Sequence, residues 1–183
     1  MILCGGKSSR MGSNKALLEF SHRPLAQYMY EKMQKIFAEI YLVAKDDTPF
    51  KGFSHQFIQE RSEIYAPLIG IEASLQKLHQ AFFISVDTPF VSGEMIEKML
   101  ESLGSEEILY AKSKERSHFL CGIYHQSILP KVREMIEKEG FKMSHLISQV
   151  KSAYVEFEDE SAFDNLNTPN EYQKALKRIE CNG

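Results

Sequence analysis

Residues 3–15 read Leu-Cys-Gly-Gly-Lys-Ser-Ser-Arg-Met-Gly-Ser-Asn-Lys. The run follows a short apolar strand end, Ile2-Leu3-Cys4, and leads into helical sequence. Glycines at such a place let backbone N–H groups close on an anion as a nest. Arg10 and Lys15 can then neutralise a phosphate chain. The spacing is not that of a Walker A loop, which ends in Gly-Lys-Ser/Thr, nor the Gly-x-Gly-x-x-Gly of dinucleotide-binding folds. Two further groups carry chemistry. Asp87-Thr88-Pro89 comes directly after the most apolar strand of the chain. In an open α/β sheet, ligands bind beyond the carboxyl ends of the strands. An Asp there, beside a polyphosphate, is a natural Mg²⁺ ligand, because Mg²⁺ takes one or two carboxylates and completes its shell with phosphate oxygens and water. Alone, the same Asp serves equally as a turn residue before Pro89. In Asn165-Leu166-Asn167-Thr168-Pro169 the two Asn are two apart, so in extended chain they face the same way and both can reach a cleft.

These groups need elements to hold them. Hydrophobic periodicity predicts a helix from Pro24 with Leu25, Tyr28, Met29, Met33, Ile36 and Phe37 on one face. It predicts strands over 40–44 and 55–59, a helix over 68–78 and a doubly covered strand over 81–86. A helix then carries Met95, Ile96, Met99, Leu100 and Leu103. Strands follow at 108–111 and 119–124, then a helix over 128–136 and extended chain over 154–157. Thr168-Pro169-Asn170-Glu171 is a capping box with Pro at the first helical position of a last helix. Strand–helix alternation in the first part argues a parallel sheet wrapped by helices, and the adjacent later strands argue that the sheet is mixed. The expected fold is a three-layer α/β/α Rossmann-like domain spanning 1–183. Only Met1 to Cys4 precede Gly5, short for a strand at the centre of a sheet. This predicts either a natural start several residues upstream or a visibly short central strand.

Composition narrows the function classes. The chain has 183 residues, 43% hydrophobic and 26% charged, with a net charge of −3. That is long enough for a real core and not basic enough for a general nucleic-acid binder. Lys7, Arg10, Lys15 and Arg23 against Glu19 give residues 1–24 a charge of +3, leaving −6 on the rest. A basic glycine-rich start on an acidic chain points to a local anion site. No apolar run nears the ~20 residues of a membrane helix, and the start is too short for a signal-peptide core, so no membrane contact and a cytoplasmic location are expected. Cys4, Cys121 and Cys181 lack zinc spacing. His118 and Cys121 would point to opposite faces of a strand, so no shared metal is expected. The six histidines are scattered and receive no catalytic role.

The opening run resembles the Leu-x-Gly-Gly-x-Ser-x-Arg-Met-Gly-x-x-Lys signature of nucleotidyltransferases with a glycosyltransferase-A-like fold. Pro67-Leu68-Ile69-Gly70, Asp87-Thr88-Pro89 and Asn165-Leu166-Asn167-Thr168-Pro169 resemble, in order and spacing, later motifs of the molybdenum cofactor guanylyltransferases. The resemblance implies transfer of GMP from GTP to molybdopterin, with release of pyrophosphate. It implies that Leu3, Cys4, Gly5, Gly6, Lys15, Glu60 and Asp87 bind the nucleotide. Arg10, Lys15 and Asp87 would be catalytic, with Asp87 on Mg²⁺, and Gly70, Asn165 and Asn167 would face the acceptor. Glu60 stands where the family usually has Asp. As partners it implies GTP, molybdopterin and transient contacts with other molybdenum cofactor proteins, in a monomer or weak oligomer. Two other readings stay open: a nucleotidyltransferase of the same fold acting on a sugar or polyol phosphate, and a non-catalytic nucleotide-binding adaptor. Retention of Lys15 together with Asp87 speaks against the adaptor.

Overall fold

A computed structural model of the chain describes residues 1–5, 14–114 and 116–180. In chain order the elements are β1 (Ile2–Leu3), β2 (Glu19–Phe20), β3 (Arg23–Pro24), α1 (Leu25–Met33), β4 (Tyr41–Ala44), β5 (Gln56–Gln59) and α2 (Pro67–Leu75). There follow β6 (Gln80–Ser85), α3 (Gly93–Glu101), β7 (Ile108–Ser113), β8 (Arg116–His125), α4 (Leu129–Glu137), α5 (Met143–Gln149), β9 (Ser152–Phe157) and α6 (Pro169–Glu180). Seven strands form one sheet in the order β5-β4-β1-β6-β8-β7-β9. The β5-β4-β1-β6 half is parallel throughout, β8 runs antiparallel to both of its neighbours, and β9 is parallel to β7. β2 and β3 make a separate antiparallel ribbon. The fold is α/β with a mostly parallel mixed sheet, as expected.

Both faces of the sheet are covered, so successive residues of the inner strands enter different cores. Ile2, Leu42, Phe82 and Ile84 pack with Met29 of α1, Met99 of α3 and Ala175 of α6. Their neighbours Leu3, Val43, Ala81 and Phe83 pack with the opposite layer, against Leu68, Ile71 and Leu75 of α2, Val132 of α4 and Leu146 of α5. This is why the apolar runs are continuous rather than alternating. β1 holds only two residues and sits at the centre of the sheet.

The boundaries differ from the sequence reading where polar residues continue an element or apolar ones leave it. α1 stops at Met33, yet Ile36 and Phe37 still pack on the core from the following turn. α2 ends at Leu75 rather than at Leu78. β7 and β8 run beyond their apolar segments, because Lys112 pairs with Ser117 and Ser113 with Arg116 in a hairpin whose ladder needs no apolar side chains. Between the pairs Tyr110–Gly122 and Ala111–His118 the register shifts, and three residues of β8, Phe119 to Cys121, face no partner on β7. Gly122 makes the close approach there: a Cβ on it would lie 2.7 Å from the Leu109 carbonyl oxygen. The first half of β8 stays paired with β7 but runs past the end of β6, whose pairing with β8 stops at Ile84–Cys121. Helix α5 and the β2–β3 ribbon have no counterpart in the sequence reading.

Candidate active site

The carboxyl end of β6 places Asp87. Ser85 donates from Oγ to Asp87 Oδ1 at 2.6 Å, and Thr88 donates from N and Oγ1 to the Ser85 carbonyl at 3.2 and 2.8 Å. This local net fixes the turn and leaves Asp87 Oδ2 facing outward. There the Lys15 ammonium meets it at 3.3 Å, in an ion pair whose side chains are only 19% and 16% exposed. Lys15 begins a short 3₁₀ turn, Lys15–Leu17, whose first free N–H is capped when Ala16 N donates to the Asn14 side-chain oxygen at 3.1 Å. The same ammonium donates to Asn167 Oδ1. Lys15 therefore ties the first motif to the second and the third, across 72 and 152 residues of chain.

The Asn segment is held from both ends. Leu166 is buried and its N–H donates to the Asp87 carbonyl at 3.0 Å. On the other side Glu171 N donates to Thr168 Oγ1 at 3.2 Å, as a capping residue requires. The reciprocal half is displaced by one residue: the Glu171 carboxylate accepts from Asn167 N at 2.9 Å. The cap of α6 thus positions Asn167 itself.

Two cavities meet at Asp87. One, of about 230 Å³, is lined by Leu3, Cys4, Gly5, Lys15, Glu60 and Tyr65 together with Asp87. The other, of about 340 Å³, is lined by Asp87, Asn165, Asn167, Arg116, His118 and Phe163 among others. The extended-chain argument for the two Asn holds, since both line the same cavity.

Glu60 closes the back of the first cavity and is 6% exposed. Its backbone N–H donates to the Ala44 carbonyl at 2.8 Å. Its side chain runs between two glycines. A Cβ on Gly5 or on Gly70 would each come within 2.9 Å of Glu60 Oε1, and one on Gly70 would also meet Leu3 Cδ2 at 2.9 Å. Two missing side chains leave the room that the Glu60 carboxylate occupies. Burial raises the Glu60 pKa above the ordinary carboxylate value, and the Lys45 ammonium works against that rise. Burial likewise pushes the Cys4 thiol up, so Cys4 offers its backbone and no nucleophile.

Leu3, Cys4, Gly5, Lys15, Glu60 and Asp87 are thus brought together at one cavity, and Asn165 and Asn167 at its neighbour. Gly70 departs from its expected place: it lies on α2 beneath Glu60 and outside the lining of the Asn cavity, where only a residue without a side chain leaves space for that carboxylate. Gly6 and Arg10 lie outside the described residues, as does Lys7. Sequence reasoning missed Tyr65, Arg116, His118 and Phe163. Tyr65 is 50% exposed at the rim, with the Lys45 ammonium 4.1 Å from its ring centre. No local pattern singled out His118: Arg116 and Ser117 before it are polar, and β8 extends over them through pairing with β7.

A family model described as the MobA-like NTP transferase domain matches residues 1–153. The chain belongs to this family. It is a nucleotidyltransferase. Molybdenum cofactor guanylyltransferase of Campylobacter jejuni subsp. jejuni serotype O:6 is 40% identical over 177 residues, covering 95% of this chain and 93% of that one. The protein of the same name from Helicobacter pylori J99 is 32% identical over 188 residues, covering 98% and 88%. Among solved structures, molybdopterin-guanine dinucleotide biosynthesis protein A from Archaeoglobus fulgidus superposes with a TM-score of 0.86 over 98% of this chain and 97% of that one, at 21% identity, a likeness of fold. Within the MobA-like family, then, this chain presents two cavities that share Asp87, with Lys15 bonded to Asp87 and to Asn167 where they meet.

Proposed function

We propose that the chain transfers GMP from GTP to the terminal phosphate of molybdopterin, giving the guanine dinucleotide form of the cofactor and pyrophosphate. The observation that carries this reading is the meeting of Lys15, Asp87 and Asn167 where the two cavities join. GTP occupies the cavity walled by Leu3, Cys4, Gly5 and Glu60, and the acceptor occupies the cavity of Asn165 and Asn167. The Glu60 carboxylate suits a guanine edge, which presents N1–H and N2–H₂ as adjacent donors.

The reaction needs no general base. A phosphate monoester has its second pKa near 6, so at neutral pH the acceptor is already an anionic nucleophile. Its oxygen forms the new bond to the α-phosphorus of GTP, the bond from that phosphorus to the bridging oxygen breaks, and pyrophosphate leaves with the electron pair. The obstacle is repulsion between anions. Lys15, drawn from Asp87 and Asn167 onto phosphate oxygens, and the Gly5 amide offset it, with Arg10 as a further cation; positioning in line supplies the rest. Asp87 is the residue that would hold Mg²⁺. One carboxylate at the mouth of a phosphate cavity fits a cation that completes its shell with phosphate oxygens and water, and among the described residues no three His, Cys, Asp or Glu form a closed metal site. Mg²⁺, when bound, supplies charge neutralisation on the reacting phosphates. The cytoplasm, where nucleoside triphosphates are held, is the proposed location. No helix among the described residues is long and apolar enough to cross a membrane.

The test is a panel of each nucleoside triphosphate against molybdopterin and sugar phosphates, with Mg²⁺ and pyrophosphate release as readout. Release with GTP and molybdopterin alone is expected. Release with a sugar phosphate, or with none of the pairs despite tight nucleotide binding, overturns the reading.

A further inference from the structure

The Asn cavity has a second wall that no motif announced. His118 lies on the part of β8 that extends beyond β6, and its ring is stacked on Phe163 with centroids 3.9 Å apart and planes 9° from parallel. Phe163 is 1% exposed, so the imidazole is the ring of this pair that the cavity presents. His118 Nε2 is 2.7 Å from the hydroxyl of Ser113, itself fully buried. One face and one nitrogen of the imidazole are therefore committed to the protein, which fixes the plane and leaves the ring no freedom to swing away.

We propose that His118, backed by Phe163 and pinned by Ser113, is a flat shelf on which the pterin ring of the acceptor rests while Asn165 and Asn167 reach its polar edge from the opposite side. The inference rests on the reading of the acceptor as molybdopterin. Three observations favour a planar heteroaromatic ligand here over a second phosphate. The stack is parallel, and a parallel pair extends most readily by another flat ring laid along it. The imidazole stays neutral, its pKa held down to about 4 by burial and by the neighbouring Arg116 guanidinium against the pull of Glu160, so the ring brings no charge for an anion, and the cation in the lining, Arg116, is already paired with Glu160 at 3.7 Å. The phosphate-handling groups stand where the cavities meet: Asp87 lines both, and Lys15, in the lining of the other, is paired with it at 3.3 Å. An acceptor with its phosphate there has its ring directed into this one.

The experiment compares native protein with His118→Ala and His118→Phe. Calorimetric titrations use GTP, molybdopterin and a phosphate-free pterin, each alongside a thermal melt. His118→Ala should weaken both pterin ligands at least tenfold and leave GTP within threefold. His118→Phe keeps the plane and loses the bond to Ser113. It should return pterin binding to within threefold of native. Unchanged pterin binding in a folded His118→Ala overturns the shelf. So does a folded His118→Phe that binds as poorly as the alanine variant, since that would assign the effect to hydrogen bonding and not to the ring plane. Native protein that binds GTP but neither pterin ligand overturns the acceptor reading itself, and the shelf with it.

Discussion

The two cavities that meet at Asp87 are built from different kinds of chain. The nucleotide side is walled by the ends of parallel strands and the loops that follow them, with Gly5 and Gly70 shaping it by what they lack. The acceptor side is walled by an antiparallel strand that outruns its neighbour β6 and by the segment that leads into α6. Parallel strand ends converge by topology, so a binding cleft there comes with the fold. The acceptor wall depends on a register shift in one hairpin and on the cap of one helix. The first side is suited to the part of the reaction shared across nucleotidyltransferases, and the second to the part in which members of such a fold differ.

Asp87 lines both cavities, and Lys15 is bonded to it and to Asn167 of the other cavity, so their loss should not distinguish the two sides. Asp87→Ala is expected to reduce transfer more than a hundredfold, roughly 2.7 kcal/mol or more of transition-state stabilisation, at every Mg²⁺ concentration and with the melting temperature kept. Normal turnover across a Mg²⁺ titration would remove Asp87 from the chemistry. Lys15→Ala should cost a similar amount, on the order of 3 kcal/mol, and Lys7→Ala far less. Equal losses of kcat/KM in the two lysine variants would leave the bridge to Asp87 and Asn167 without a catalytic meaning.

The next two changes separate the sides. Gly5→Ala sets a Cβ 2.9 Å from Glu60 Oε1 and 3.1 Å from Oε2, and the contact must be relieved by moving that carboxylate. We expect GTP affinity to fall about tenfold, roughly 1.4 kcal/mol, with molybdopterin binding unchanged. The mirror change is Asn167→Ala. It should weaken molybdopterin at least tenfold and keep GTP within about threefold, roughly 0.65 kcal/mol. Separate titrations of the two ligands decide both cases. A variant that weakens both ligands alike would mean that the cavities are one site. A lower melting temperature with molybdopterin binding retained would reduce Asn167 to a shaper of the turn before Thr168.

The contrast also explains what the sequence made legible. Most of the nucleotide side was readable because Leu3, Cys4, Glu60 and Asp87 sit at strand ends, and because glycines and a lysine at fixed offsets have few other uses; Tyr65, in the loop before α2, was not. Asp87 after its strand and Thr168 before α6 were readable for the same local reason. The acceptor wall was not. His118 stands in a polar stretch where alternation gives no sign of a strand, and its pairing with Ala111 exists only because β8 carries three extra residues opposite β7. Phe163 reaches it from a distant part of the chain, beyond β9. Gly70 shows a different limit: its motif was found, but only the structure shows that it packs beneath Glu60.

The smallest expected effect concerns the acceptor wall alone and needs no ligand. His118 has its pKa lowered from the ordinary value of 6.5 to about 4, chiefly by burial and then by Arg116, with Glu160 acting in the opposite sense. Between those two values the unfolded chain binds this proton and the folded chain does not. Stability must then rise with pH across the window. The contribution is whole above about pH 6.5 and is lost as pH falls toward 4. Many carboxylates titrate over the lower part of the same range, so the absolute melting curve does not isolate it. The difference between native protein and His118→Phe does. Phenylalanine keeps the stack on Phe163 but leaves the buried Ser113 hydroxyl without its partner, a penalty of about 1 kcal/mol that does not depend on pH. The variant should therefore melt below native protein at about pH 7.5, and the gap should narrow steadily as pH is lowered from 6.5 to 4. A gap that stays constant over that interval would mean that the imidazole is freely solvated, and the wall of the acceptor cavity would then be a loose side chain instead of a fixed ring.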